Sequence, residues 1–97
     1  MRIEILEEVE RDLIEGFKFY ENQQVGLGLY FRTNLYADIE SLKNYAGIHS
    51  RPYKPYHRFL SRKFPFAIFY TVEKDTVFIH AVLDCRKDPA WIRERLE

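Results

Sequence analysis

Apolar positions along this chain change their period several times, and each change marks an element. Over residues 2 to 6, RIEIL, polar and apolar residues alternate, as a short strand with one buried face requires. Val9, Leu13, Phe17 and Tyr20 then recur at helical spacing, with Glu and Asp concentrated at the start, where the helix dipole favours them. Gly26 and Gly28 interrupt that stripe, and a second one follows at Phe31, Leu35, Ile39, Leu42 and Ala46, closed by Gly47 as a C-cap. Two helices joined by a glycine turn make a hairpin. Residues 48 to 57, IHSRPYKPYH, hold two prolines and little periodicity and read as a connection. Alternation returns at Arg58, Leu60 and Arg62, and the runs FAIFYTV and TVFIHAVL flank the turn EKD, which predicts a three-strand meander. Asp88 followed by Pro89 is an N-cap and first-turn pair, so AWIRERL forms a short terminal helix that Trp91 packs onto the sheet.

The predicted fold is therefore α+β: an N-terminal strand, a helical hairpin packed on one face of a mostly antiparallel sheet, a C-terminal three-strand meander and a short terminal helix. Strict alternation puts Phe66, Ile68 and Tyr70 on one face of the meander and Ala67, Phe69 and Thr71 on the other. It also opposes Val77, Ile79 and Ala81 to Phe78, His80 and Val82. Both faces are apolar, and one layer of helices covers only one of them. The second is expected to be partly open, an apolar surface edged by arginines.

Composition limits the alternatives. A chain of 97 residues with 46% hydrophobic and 16% aromatic side chains has room for one compact domain, residues 1 to 97, and is far from the composition of disorder. No apolar run approaches the ~20 residues of a membrane span, and RIEILEEVERD is too acidic for a signal peptide, so a cytoplasmic location is expected. The single cysteine, Cys85, cannot form an internal disulfide, which agrees with a reducing compartment. A structural thiol is the expected role for it.

Net charge is zero, but its distribution is uneven. Residues 1 to 40 carry nine acidic and four basic side chains, whereas residues 41 to 72 carry six basic ones and no acidic ones. Such a block is either a solvated basic face or a docking surface for phosphate or an acidic partner. The strand that ends in D-C-R-K-D-P adds Arg86 and Lys87. Asp84 and Arg86 read either as a plain ion pair or as part of a basic rim with Arg58, Arg62 and Lys63.

The stretch FLSRKFPFAIFYTVEKDTVFIHAVLDCRKDPAW, with its Arg/Lys before FPF, its IFY strand, its short acidic turn and the arginine two residues after Asp84, resembles the second half of the RelE/ParE toxin superfamily of bacterial type II toxin–antitoxin systems. The predicted element order matches that family over the whole chain. The resemblance implies a toxin, of the kind found in plasmid stabilization, held inactive by a cognate acidic antitoxin. One branch of the family cleaves ribosome-bound mRNA and the other poisons DNA gyrase. Where the mRNA-cleaving members carry an arginine just after the first aromatic of the FAIFY strand, this chain has Ala67, and where they place a tyrosine or histidine after the arginine matching Arg86, it has Lys87, Asp88 and Pro89. Cleavage by 2′-OH attack needs a base, positive charge on the phosphorane and a donor for the leaving oxygen, and alanine supplies none. The resemblance therefore favours the ParE branch, with gyrase as the target and Arg58, Arg62, Lys63, Arg86 and Lys87 as the partner-binding set. A nuclease acting on mRNA at the ribosome would have to be built from His80, Arg62 and Arg86, and a non-toxic binding module of the same fold is the third alternative.

His80, alone on its strand, is more often a packed histidine than a general base. His49 and His57 lack carboxylate or cysteine neighbours at ligand spacing, so neither a metal nor another cofactor is expected.

Overall fold

The computed structural model describes residues 1–97 and runs β1 (Arg2–Ile5), α1 (Glu7–Gln23), α2 (Leu27–Tyr45), β2 (His57–Leu60), β3 (Phe66–Glu73), β4 (Thr76–Asp84) and α3 (Pro89–Leu96). The α+β class and the element order are those expected. One sheet has the order β1-β4-β3-β2. The meander is antiparallel throughout, and β1 joins it parallel to β4, pairing only over Thr76–Ile79. No helix is long and apolar enough to cross a membrane.

The hairpin lies on one face. Val9, Leu13 and Tyr20 of α1 and Phe31, Leu35, Ile39 and Leu42 of α2 close over Phe66, Ile68, Tyr70, Val77, Ile79 and Val82. The first stripe departs from expectation at one step, because Gly16 rather than Phe17 meets α2. A Cβ on Gly16 would sit 2.5 Å from ring carbons of Phe31, so only glycine permits the approach. Phe17 is displaced to the flank, half-buried, with the Arg32 guanidinium 5.3 Å from its ring centre. Gly26, at φ 91°, makes the turn into α2. No side chain of that turn caps the helix; instead the Glu21 carboxylate accepts the N–H groups of Gly26 and Gly28 at 3.0 to 3.2 Å, neutralising free donors at the N-terminus of α2.

The connection after α2 seals the outer edge of β2. The Ser50 carbonyl accepts from the Arg58 N–H, the His49 carbonyl accepts from His57 Nδ1, and the Tyr70 hydroxyl accepts from the Gly47 N–H while bonding His49 Nδ1. His57 stacks on Tyr70 and His49 on Phe59, so both histidines serve packing.

The second face is not open. Ile92 and Leu96 of α3, with Tyr53 and Tyr56 at the border, cover Ala67, Phe69, Ala81 and Leu83, all of which are buried. A β-bulge makes this possible. Phe69 pairs with Ala81 but Tyr70 pairs with Ile79, which leaves His80 as the extra residue and reverses the alternation beyond it. Ala81 thus joins the α3 face and Val82 the hairpin face, opposite to strict alternation. Trp91 does not dock the helix: it is 39% exposed, with the Lys87 ammonium 5.3 Å from its ring centre. Asp88 caps α3 as expected, its carboxylate accepting from the Ala90 N–H at 2.8 Å.

Candidate functional site

Two loops meet at the end of the sheet where β4 finishes. The β2–β3 connection carries Arg62 and Lys63, the β4–α3 connection carries Arg86 and Lys87, and they are tied by the Cys85 N–H donating to the Pro65 carbonyl at 2.9 Å, while the Cys85 side chain is exposed in this loop and not the buried structural thiol expected. Four of the five residues of the expected partner-binding set therefore share one rim. Arg58 does not join them. It stands within β2 opposite Phe69, on the α3 side of the sheet, and its Nε is enclosed without a hydrogen-bond partner.

Each rim cation has a fixed seat. Arg86 grips Asp84 with both arms, Nε to Oδ1 at 3.0 Å and Nη2 to Oδ2 at 2.7 Å, and its N–H adds a third bond to Oδ1 at 2.9 Å. These bonds hold the Asp84 carboxyl below the usual carboxylate range, and the same partner raises Arg86 further above its already high value. Arg62 donates its Nε to Asp38 Oδ1 at 3.0 Å, and the Ser61 hydroxyl donates to Oδ2 at 2.7 Å. Asp38 is itself buried in α2 while most of Arg62 faces water. Lys63 donates to the Tyr30 hydroxyl at 3.3 Å and lies against that ring, as Lys87 lies against Trp91. Asp84 and Arg86 thus form the expected ion pair, at a rim they share with Arg62, Lys63 and Lys87 but not with Arg58.

Beside the rim, between α1, the last residues of β4 and α3, lies a groove of about 510 Å³. Phe19, Phe66 and Trp91 contribute its apolar lining, and its charged groups are mixed, Arg11, Lys87 and Arg95 beside Glu8, Asp12, Glu15 and Asp84. Its floor is organised by Asp12. That carboxylate accepts the Val82 N–H at 3.0 Å and a short bond from Arg95, so it fixes α3 and a stretch of β4 that β1 leaves unpaired. Burial raises Asp12 above its ordinary value, against the lowering effect of the Val82 N–H and Arg95. Sequence reading passed over this residue, although a signal was present: Asp12 and Asp38 both fall on the buried stripes of their helices, three residues after Val9 and Leu35, where a charge requires a partner.

The three groups named for a nuclease do not converge. His80 Nε2 is hydrogen-bonded to the Thr71 hydroxyl at 2.8 Å and packs edge-on against Tyr56, on the α3 side. Burial lowers His80 below the usual histidine range. Arg62 turns toward α2 and Arg86 toward Asp84. Ala67 is fully enclosed beneath α3.

No family model and no curated protein matches this sequence. Among solved structures, the chain is similar to one described as "Chromosomal ParDE TA system from P. aeruginosa", at 15% sequence identity, over 87% of this chain and 95% of that one, with a TM-score of 0.80. The fold expected from the RelE/ParE resemblance is therefore the fold this chain has.

Proposed function

We propose that this chain is the toxin of a type II toxin–antitoxin system, and that it acts by binding, with DNA gyrase as its target. The observation that supports the toxin reading is the coincidence of fold with a ParDE chain over 87% of this chain and 95% of that one, more than a shared hairpin or meander would give. What supports gyrase over mRNA as the target is the set of residues standing where the resemblance would put catalytic groups. Ala67, where an mRNA-cleaving relative would carry arginine, is enclosed beneath Ile92 and Leu96, and His80 and Arg62 are engaged on opposite sides of the sheet. Nothing here brings a base and an acid within reach of one phosphate.

Binding without chemistry is what the rim suits. Arginines clamped by aspartates and lysines resting on aromatic rings present ordered donors at low entropic cost on association. The neutralising antitoxin, an acidic segment that folds on contact, would lay an apolar face on Phe19 and Trp91 in the α1–α3 groove and carboxylates against Arg11, Lys87 and Arg95.

Induced expression in a bacterium lacking the antitoxin should arrest growth with filamentation, relieved by co-expression of the adjacent acidic gene product. Purified protein should inhibit supercoiling or trap cleaved DNA in a gyrase assay, and Arg62→Glu and Arg86→Glu should each weaken that effect. Codon-positioned mRNA cuts in a purified translation system, with gyrase unaffected, would replace this reading with the interferase one, and a harmless product would replace it with the binding module.

A further inference from the structure

We propose that two copies of this chain associate through the free edge of β1, in an antiparallel β1–β1 pair centred on Ile3. This goes beyond the toxin reading and does not depend on it. The two edges of the sheet differ: residues 49 and 50 block β2, whereas β1 ends the sheet with nothing paired outside it.

The backbone determines which groups are available. Arg2 donates its N–H to the Asp75 carbonyl at 2.9 Å and Leu6 to the Ile79 carbonyl at 3.1 Å, so the even-numbered residues of β1 turn their backbone toward β4. Ile3 and Ile5 then turn theirs outward. Their side chains pack under the hairpin, while those of Arg2 and Glu4 lie on the opposite face, exposed. A second β1 must set its own outward residues against these, which leaves only registers that pair odd with odd.

Charge then selects among them. Centring the pair on Arg2 would set arginine against arginine, and centring it on Glu4 would set glutamate against glutamate. Centring it on Ile3 gives a hydrogen-bonded Ile3–Ile3 pair and, on either side, Arg2 of one copy directly opposite Glu4 of the other. Those are non-hydrogen-bonded positions, where facing side chains are closest. The exposed Arg2–Glu4 contact within each chain, at 3.4 Å, would be exchanged for a contact between chains, two for two. Alongside the edge, a groove of about 520 Å³ is lined by Met1, Tyr36, Ile39, Glu40 and Lys43 of the same chain, a mixed strip that offers apolar side chains and both signs of charge to a symmetric neighbour. With only four residues in β1 the contact is small, and association is weak.

Sedimentation equilibrium of the purified chain over a wide concentration range tests this. The wild type should shift from the mass of one chain toward that of two. Arg2→Glu and Glu4→Arg should each weaken association by about tenfold or more, because each sets like charges opposite twice. The double exchange Arg2→Glu with Glu4→Arg should restore it, since the pairing then reads the same with signs reversed. A monomer at every concentration overturns the proposal, as does a dimer insensitive to both single reversals or one that the double exchange fails to restore.

Discussion

The face of the sheet under α1 and α2 buries thirteen residues in one cluster, whereas the face under α3 buries six, and the second is held as much by polar ties as by area. Tyr20, Phe31 and Phe66 of the first cluster pack with Phe64 beside it in edge-to-face and tilted pairs, at 4.9 to 6.2 Å between ring centres, so removing one ring exposes several others. Under α3 the contacts are Ile92 and Leu96 on two alanines, a leucine and Phe69. The Asp12–Arg95 pair and the Tyr56 hydroxyl, which donates to the Leu96 carbonyl at 2.9 Å, complete the attachment. A short amphipathic helix can therefore finish a small domain when polar groups elsewhere in the chain receive it, and beside it lies the rim that carries Arg62, Lys63, Arg86 and Lys87.

The sharpest test of that contrast is truncation on each side. Phe31→Ala should cost about 3–5 kcal/mol and Ile92→Ala about 2 kcal/mol, read from urea unfolding. Equal costs would break the comparison. Next, Gly16→Ala should lose about 1–3 kcal/mol through overpacking against Phe31, although alanine is the better helix former, which makes the hairpin contact rather than propensity decisive.

Asp12→Asn keeps an acceptor for Val82 and relieves the burial cost of the carboxylate but removes the charge opposite Arg95, so global stability should change by less than about 1 kcal/mol while the α3 amides exchange faster. If α3 exchange is unchanged, the polar tie is not what holds the helix.

Acid gives a smaller effect with a defined sign. Burial lowers His49, on the hairpin side, and His80, on the α3 side, below 6.5, so the folded chain favours their neutral forms while the unfolded chain takes up protons first. Their contribution is complete above pH 6.5 and lost as pH falls from there toward the depressed folded values. The urea midpoint should decline over that window, and His49→Gln with His80→Gln should flatten the decline. Asp12, raised by burial, runs the other way, its contribution falling as pH rises above 3.8.

At the small end, Arg86→Ala should change stability by less than about 1 kcal/mol, since most of the guanidinium lies on the surface, while weakening the gyrase inhibition proposed above. Arg93→Ala should change stability by less than about 0.5 kcal/mol. Unfolding on Arg86→Ala would make that residue structural and remove it from the site.

Much of this molecule was legible as periodicity. The stripe Phe31, Leu35, Ile39, Leu42 is buried as read, the Asp88–Pro89 start of α3 is where the capping pair placed it, and the meander begins and ends close to its turn residues. The rim was partly legible, because Arg62, Lys63, Arg86 and Lys87 flank strand ends that an antiparallel pair brings together. Arg58 was misplaced, since alternation gives the side of a strand but not what covers it.

What sequence alone determined here is local: hydrogen-bond geometry imposes periods of 3.6 and 2 on any segment that buries one side, and capping and turn residues act within a few positions of themselves. Tertiary structure decided the rest because those outcomes depend on residues far apart in the chain. The bulge at His80 comes from matching β4 to β3, and it turned Ala81 and Val82 over. Closure of the second face needed α3 to return across the sheet to an aspartate 83 positions earlier. Asp38 became the seat of Arg62 only once α2 met the β2–β3 loop, whereas Asp84 and Arg86, two positions apart, pair locally, since a side chain's charge is written in the sequence but a distant partner and the dielectric surroundings are set by packing.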